Sequence, residues 1–176
     1  VTSRGPFRSQ RCPIKSFRNC RFYRVFGEWP STEQALSDAL AERAFEPCRG
    51  LAERSSGFEP PTEETEQLAR RVAGSDLIRL RLQTRIMPVA AVREALDERV
   101  EAYKARTAQA PSRKEMRDLK DEVYAKLLPQ AFLKSDRIDA LFIKSESILA
   151  VGTPASKAAD IVLDDLEKAL DGVRFA

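Results

Sequence analysis

Apolar positions along this chain recur in two rhythms, and the alternation between them predicts the order of elements. Residues 76–84, DLIRLRLQT, alternate with a period of two. Ile78, Leu80 and Leu82 point one way and Arg79, Arg81 and Gln83 the other, as in a strand with one face in a core and one toward solvent. Ile14 to Phe26 also reads as strand, with Phe17, Phe22, Tyr23, Val25 and Phe26 set among Arg18, Arg21 and Arg24. Ser31, followed three residues on by Gln34, has the form of a capping box. It opens a helix to about Phe45 with Leu36, Ala39, Leu40 and Ala44 on its inner face, ended before Pro47. Residues 49–75 read mostly as loop, with a short helical turn within Thr65–Val72.

From Arg85 to Phe132 the rhythm becomes helical. Pro88 suits a first helical turn, and Val89, Val92, Leu96, Val100 and Tyr103 follow as a narrow seam. AQAPS breaks the pattern. Ser112 and Glu115 then form a second capping box, and Pro129 stops the second helix. At ~100° per residue, Met116, Leu119, Val123 and Leu127 fall on one stripe of that helix, and Arg113, Arg117, Lys120 and Tyr124 on the next. Two helices of similar length with a short polar turn between them predict an antiparallel hairpin.

Strand patterns return in DRIDALFIK and SILAVG, an antiparallel pair turning at Ser145–Ser147. Thr153-Pro154 opens a last helix with Ile161, Val162, Leu166, Ala169 and Leu170 inward and Gly172 at its end. VRFA begins another strand. The expected fold is α+β: an antiparallel sheet body with packed helices and a protruding two-helix finger. Its parts are a disordered basic tail at 1–13, a central body at 14–85 and 129–176, and a helical-hairpin tip at 86–128.

Composition narrows the function. The 176 residues are 43% hydrophobic and 32% charged, and no apolar run approaches the ~20 residues of a membrane span. The expected location is the cytoplasm. The net charge of +3 hides an asymmetry: residues 1–26 contribute +7 and the remainder −4, so only local patterning can mark a nucleic-acid surface. There is no histidine, which removes Ser-His-Asp and Cys-His catalysis and histidine-containing metal sites. Cys12, Cys20 and Cys48 are widely spaced and read as reduced thiols. No phosphate-binding glycine loop is present. The acidic pairs Glu63/Glu64, Asp121/Glu122 and Asp164/Asp165 read as helix surfaces or polar loop without convergent partners. No enzyme and no cofactor are expected.

LKDEV (119–123) followed by LLPQAF (127–132) resembles the finger region of the RdgC family of recombination-associated proteins. AFEPC (44–48), GFEPP (57–61), FRNCRFYRV near the start and ASKAADIVLDDLEKAL near the end are similar to that family's segments, in order, over roughly 14–176. The resemblance implies a bacterial, nucleoid-associated protein that binds duplex DNA without marked sequence preference. It also implies a ring-type homodimer closed in part through its finger tips, which restrains RecA-driven recombination and so modulates recombination and replication-fork repair. Lys104, Arg106, Arg113, Lys114, Arg117 and Lys120 would then be the DNA-contacting cations. Phe132 would stand where the family has a phenylalanine implicated in subunit contact and DNA association. Family members are longer, and the chain ends where their base domain would begin. Taken alone, the residues favour a protein-interaction or dimerisation module without DNA binding of its own; the resemblance reverses that order.

Overall fold

A computed structural model describes residues 17–176 of the protein. The expected tail at 1–13 and the start of the first expected strand lie outside the described residues. The elements run β1 (Arg21–Phe26), α1 (Glu33–Ala41), β2 (Arg54–Glu59), β3 (Ala69–Val72), β4 (Ser75–Ile86), α2 (Val89–Thr107), α3 (Arg113–Leu127), β5 (Phe132–Ile143), β6 (Ile148–Val151), α4 (Ser156–Ala169) and β7 (Arg174–Phe175). The seven strands form one sheet in the order β2-β4-β5-β6-β1-β7, with β3 paired to β4. The fold class is α+β. The β5–β6, β1–β6, β3–β4 and β1–β7 ladders are all antiparallel, for example Ala140↔Val151 and Tyr23↔Leu149.

Contacts divide the chain into two compact units. The first comprises 17–43, Phe58–Leu80 and Ile138–Ala176. Here alternation along the strands turns Ile78, Leu80, Ala140, Phe142, Leu149 and Val151 to one side. Leu36 and Leu40 of α1 and Val162 and Leu166 of α4 pack onto them. All four helix residues are wholly buried, each contributing ~2 kcal/mol by removal from water. Trp29 stacks on Phe142 with ring centroids 4.1 Å apart. The second unit comprises Ala44–Gly57 and Arg81–Arg137 and holds the helix pair α2–α3.

Several local expectations are corrected. The cap of α1 is Thr32, whose hydroxyl accepts from the Ala35 amide at 3.1 Å. Ser31 instead lends its carbonyl to Arg71 and Lys144. The supposed loop 49–75 contains β2 and β3. RSSGFE and ARRV lack an apolar alternation because each sets one or two residues into the core, Phe58 and Ala69. The last helix begins at Ser156, not at Pro154, and Thr153 uses its hydroxyl to accept from the Ala155 amide. On β1 only Val25 is buried and Tyr23 half-buried, whereas Phe22 and Phe26 are exposed.

The polar side of β4 is not a solvated face. Arg79 forms a bidentate pair with Asp139, Nε to Oδ1 at 2.6 Å, and Gln83 is buried. The neighbouring Arg81 stacks its guanidinium 4.4 Å from the centre of the Phe45 ring. Asp165, expected on a helix surface, is buried and paired with Arg43 at 2.7 Å. Asp76 is likewise buried beneath Arg71 and accepts from the Trp29 indole. Buried carboxylates persist only when matched in this way.

Candidate nucleic-acid interface

The helix pair starts from its caps. Ser112 accepts from the Glu115 amide at 3.4 Å, and Glu115 reaches back to the Ser112 amide at 2.8 Å, so the expected capping box of α3 is present. Glu115 also accepts from the Tyr103 hydroxyl of α2, tying the ends of the two helices together. Hydrogen bonding from Ser112, then from Tyr103, holds the Glu115 carboxyl down to about 2. The same bond to Glu115 is the main reason the Tyr103 hydroxyl titrates above its ordinary value. The turn between the helices begins at Ala108, whose left-handed backbone (φ 57°) lets its amide close on the Lys104 carbonyl at 2.8 Å.

The seam between the helices is thin. No residue of α2 is buried. Val92, Leu96, Val100 and Tyr103 are half-buried, and Val89 is 83% exposed. In α3 only Val123 is buried, flanked by half-buried Leu119 and Leu127. The Arg99–Glu122 pair across the helices is long, 3.8 Å, and exposed. Helices in proteins draw most of their stability from tertiary packing, and with so little buried between α2 and α3 the contacts at their root weigh more.

That root is organised by Arg85, to which the sequence reading assigned no role. Its Nη1 donates to the carbonyls of Leu128 and Pro129, both at 3.0 Å, in the short 3-10 helix after α3. Its Nη2 donates to Cys48 and Gly50, and Nε to Ala52 at 3.0 Å. The Arg85 amide donates to the Glu53 carbonyl at 2.8 Å. One planar fork thus joins the end of α3 to the 48–53 segment, an arrangement a single ammonium cannot reproduce. Tyr124, on the basic stripe by its spacing, is half-buried, and burial first, then the nearby Glu53 carboxylate, raises its hydroxyl above the ordinary value. It serves the root rather than the cationic edge.

The six candidate cations are all exposed. Lys104 is drawn to Glu101 at 2.8 Å, and Arg106 lies 5.7 Å from the centre of the Tyr103 ring. Arg113, Lys114, Arg117 and Lys120 have no partner among the described residues. Residues 102–117 carry five cations against the single acid Glu115. Arg113 and Lys114 occupy the first turn of α3. There the helix dipole is positive and opposes cations by ~0.3–1 kcal/mol each. Helix stability therefore does not explain them. Phe132, the first residue of β5, is 80% exposed, beside half-exposed Leu133. Among the described residues, no group of three or more His, Cys, Asp or Glu side chains is placed to hold a metal ion. No described helix is long and apolar enough to cross a membrane.

Fold and surface together define an α+β protein whose second unit presents unmatched cations on a capped helix pair. The chain matches, over residues 16–176, the family model described as "Putative exonuclease, RdgC". Curated relatives named recombination-associated protein RdgC include one from Neisseria meningitidis serogroup C, 32% identical over 157 residues. Another, from Halorhodospira halophila, is 32% identical over 153 residues, and one from Pseudoalteromonas atlantica 29% over 154. The alignments cover 87–89% of this chain and 51–52% of those proteins, so the chain spans about half the length of the curated relatives it matches. This chain belongs to the RdgC family.

Proposed function

We propose that the protein binds duplex DNA without sequence preference through the cationic end of its helix pair, in the service of recombination. The observation that carries this reading is the set Arg113, Lys114, Arg117 and Lys120: exposed, unpartnered among the described residues, and partly set where a helix disfavours cations. Lys104 and Arg106 extend the same end. Backbone phosphates need cations near them and no base-edge readers. The family's recombination-associated name supports the biological setting. Phe132, exposed at the root, would contribute an apolar contact to the DNA or to a second copy meeting it finger to finger. Restraint of RecA, ring assembly and nucleoid association belong to the same proposal.

The reading is non-catalytic, although the family description includes the word exonuclease. What supports this is the use of the buried carboxylates: Asp76, Asp139 and Asp165 are each matched to an arginine, with no histidine in the chain to join them. Incubating labelled DNA with the protein and Mg²⁺ or Mn²⁺ should leave its length unchanged; shortening would overturn the reading.

Four phosphate contacts give a slope of about −3.6 in log affinity against log salt, or ~100-fold weaker binding between about 50 and 200 mM. Fluorescence anisotropy on duplexes of unrelated sequence tests this, and a flat response refutes it. Replacing Arg113, Arg117 and Lys120 together by Glu should weaken all sequences alike. A second reading, dimerisation without DNA binding, is favoured by the exposed seam at Val89. Phe132→Ser separates the two: only the first reading predicts that DNA binding falls with it.

A further inference from the structure

The first unit has an exposed surface that the finger reading does not use. Tyr23 and Val25 of β1 join the core under α1 and α4, so Phe22, Arg24 and Phe26 lie on the opposite face of the strand. Phe22 is 66% exposed and Phe26 54%. Cross-strand partners share a face. Phe22 therefore stands beside Ala150, Arg24 beside Ile148 and Phe26 beside Arg174. Arg24 is exposed and its side chain has no partner among the described residues; Arg174 is exposed and donates only to the adjacent Val173 carbonyl. None of these six positions is acidic. The result is two aromatic rings ~13 Å apart along a rigid strand, with one cation between them and another beside the second ring.

We infer that this β1 face is a stacking platform for single-stranded nucleic acid, separate from the duplex-binding helix pair. Bases of an extended strand have free π-faces that stack on exposed aromatic rings, and the interleaved arginines meet the phosphates or stack in turn. A duplex cannot use the platform in this way, because its bases are already stacked on one another. An apolar partner protein would leave Arg24 and Arg174 desolvated against nothing. A single strand satisfies rings and cations together, and this complementarity selects it.

The test is anisotropy of the full chain with a labelled ~12-residue oligothymidine, its abasic counterpart and a duplex. Phe22→Leu with Phe26→Leu keeps apolar bulk and removes the rings. It should weaken oligothymidine binding at least tenfold, because two stacked bases lose their rings, and leave duplex affinity within twofold. Phe22→Tyr with Phe26→Tyr should restore single-strand binding. The abasic strand should bind the native protein as weakly as oligothymidine binds the Leu variant. Charge reversal at Arg113, Arg117 and Lys120 should show the opposite pattern, duplex lost and oligothymidine kept, so the two readings fail independently. The platform is refuted if oligothymidine and its abasic form bind equally, or if the Leu variant binds as well as the native protein. It is also refuted if that variant changes only the oligomeric mass.

Discussion

Replacing Arg85 by alanine should loosen the root of the helix pair, and the size of the effect follows from its contacts. The guanidinium makes five donations to backbone carbonyls, three of them at 3.0 Å. Those to Ala52, Gly50 and Pro129 are exposed, so water replaces them at small cost. Those to Leu128 and Cys48 are partly buried, and each carbonyl left unpaired costs ~1–3 kcal/mol. A loss of about 3 kcal/mol results, which for a chain of this size lowers Tm by roughly 6–12 °C. Lysine should recover no more than about a third, because its donors share one atom. Thermal unfolding of Arg85→Ala, Arg85→Lys and Arg49→Ala checks this. The Arg49–Glu46 pair is 3.8 Å long and exposed, so the last variant should stay within ~0.5 kcal/mol of the native protein. Hydrogen exchange should quicken in 48–53 and 128–130 but not in β6. An Arg85→Ala protein within about 2 °C of native, or full rescue by lysine, refutes the clamp.

Other outcomes follow from single contacts. A Cβ at Gly57 would stand 2.5 Å from the Phe45 Cα, so Gly57→Ala should destabilise by ~3 kcal/mol in denaturant unfolding; a neutral result would show that the backbone crossing can relax. Ala108→Gly should stabilise by ~1 kcal/mol, since only the left-handed conformation is relieved there; circular dichroism melts would reveal the opposite sign. The Glu115 carboxyl, held at about 2, is depressed relative to its unfolded value. Its contribution is therefore present above about 4.5 and lost as pH falls toward 2. Carboxyl NMR titration should show this, with Tyr103→Phe raising the midpoint. Arg113→Glu places an acid at the positive end of α3 and should raise helix stability while weakening duplex affinity; a loss of both would contradict the assignment.

What the sequence determined by itself was whatever depends on near neighbours. The alternation of Ile78, Leu80 and Leu82 made a strand, although Leu82 is only half-buried. Ser112 and Glu115 made a capping box, and Pro129 ended α3 in a 3-10 turn. The family, too, was legible, in AFEPC and GFEPP. The structure adds a reason for that pair: Phe45 lies over Gly57, where no side chain fits, and the Arg43 carbonyl accepts from the Phe58 amide. Polar residues were the blind spot. Arg79 and Arg71 have the pattern of solvated positions, and Asp165 that of a helix surface. Their partners Asp139, Asp76 and Arg43 come from other elements, the first and last more than 50 residues away. Strands β2 and β3 were missed because a single core residue carries no period. Arg85 shows the limit most clearly: its partners are backbone carbonyls, which every residue has, so no residue type announces them. The exposed cations of α3 were visible as a stripe. Only tertiary structure decided which basic residues were consumed by the fold and which were left over, because that depends on the acids and carbonyls that folding brings within reach.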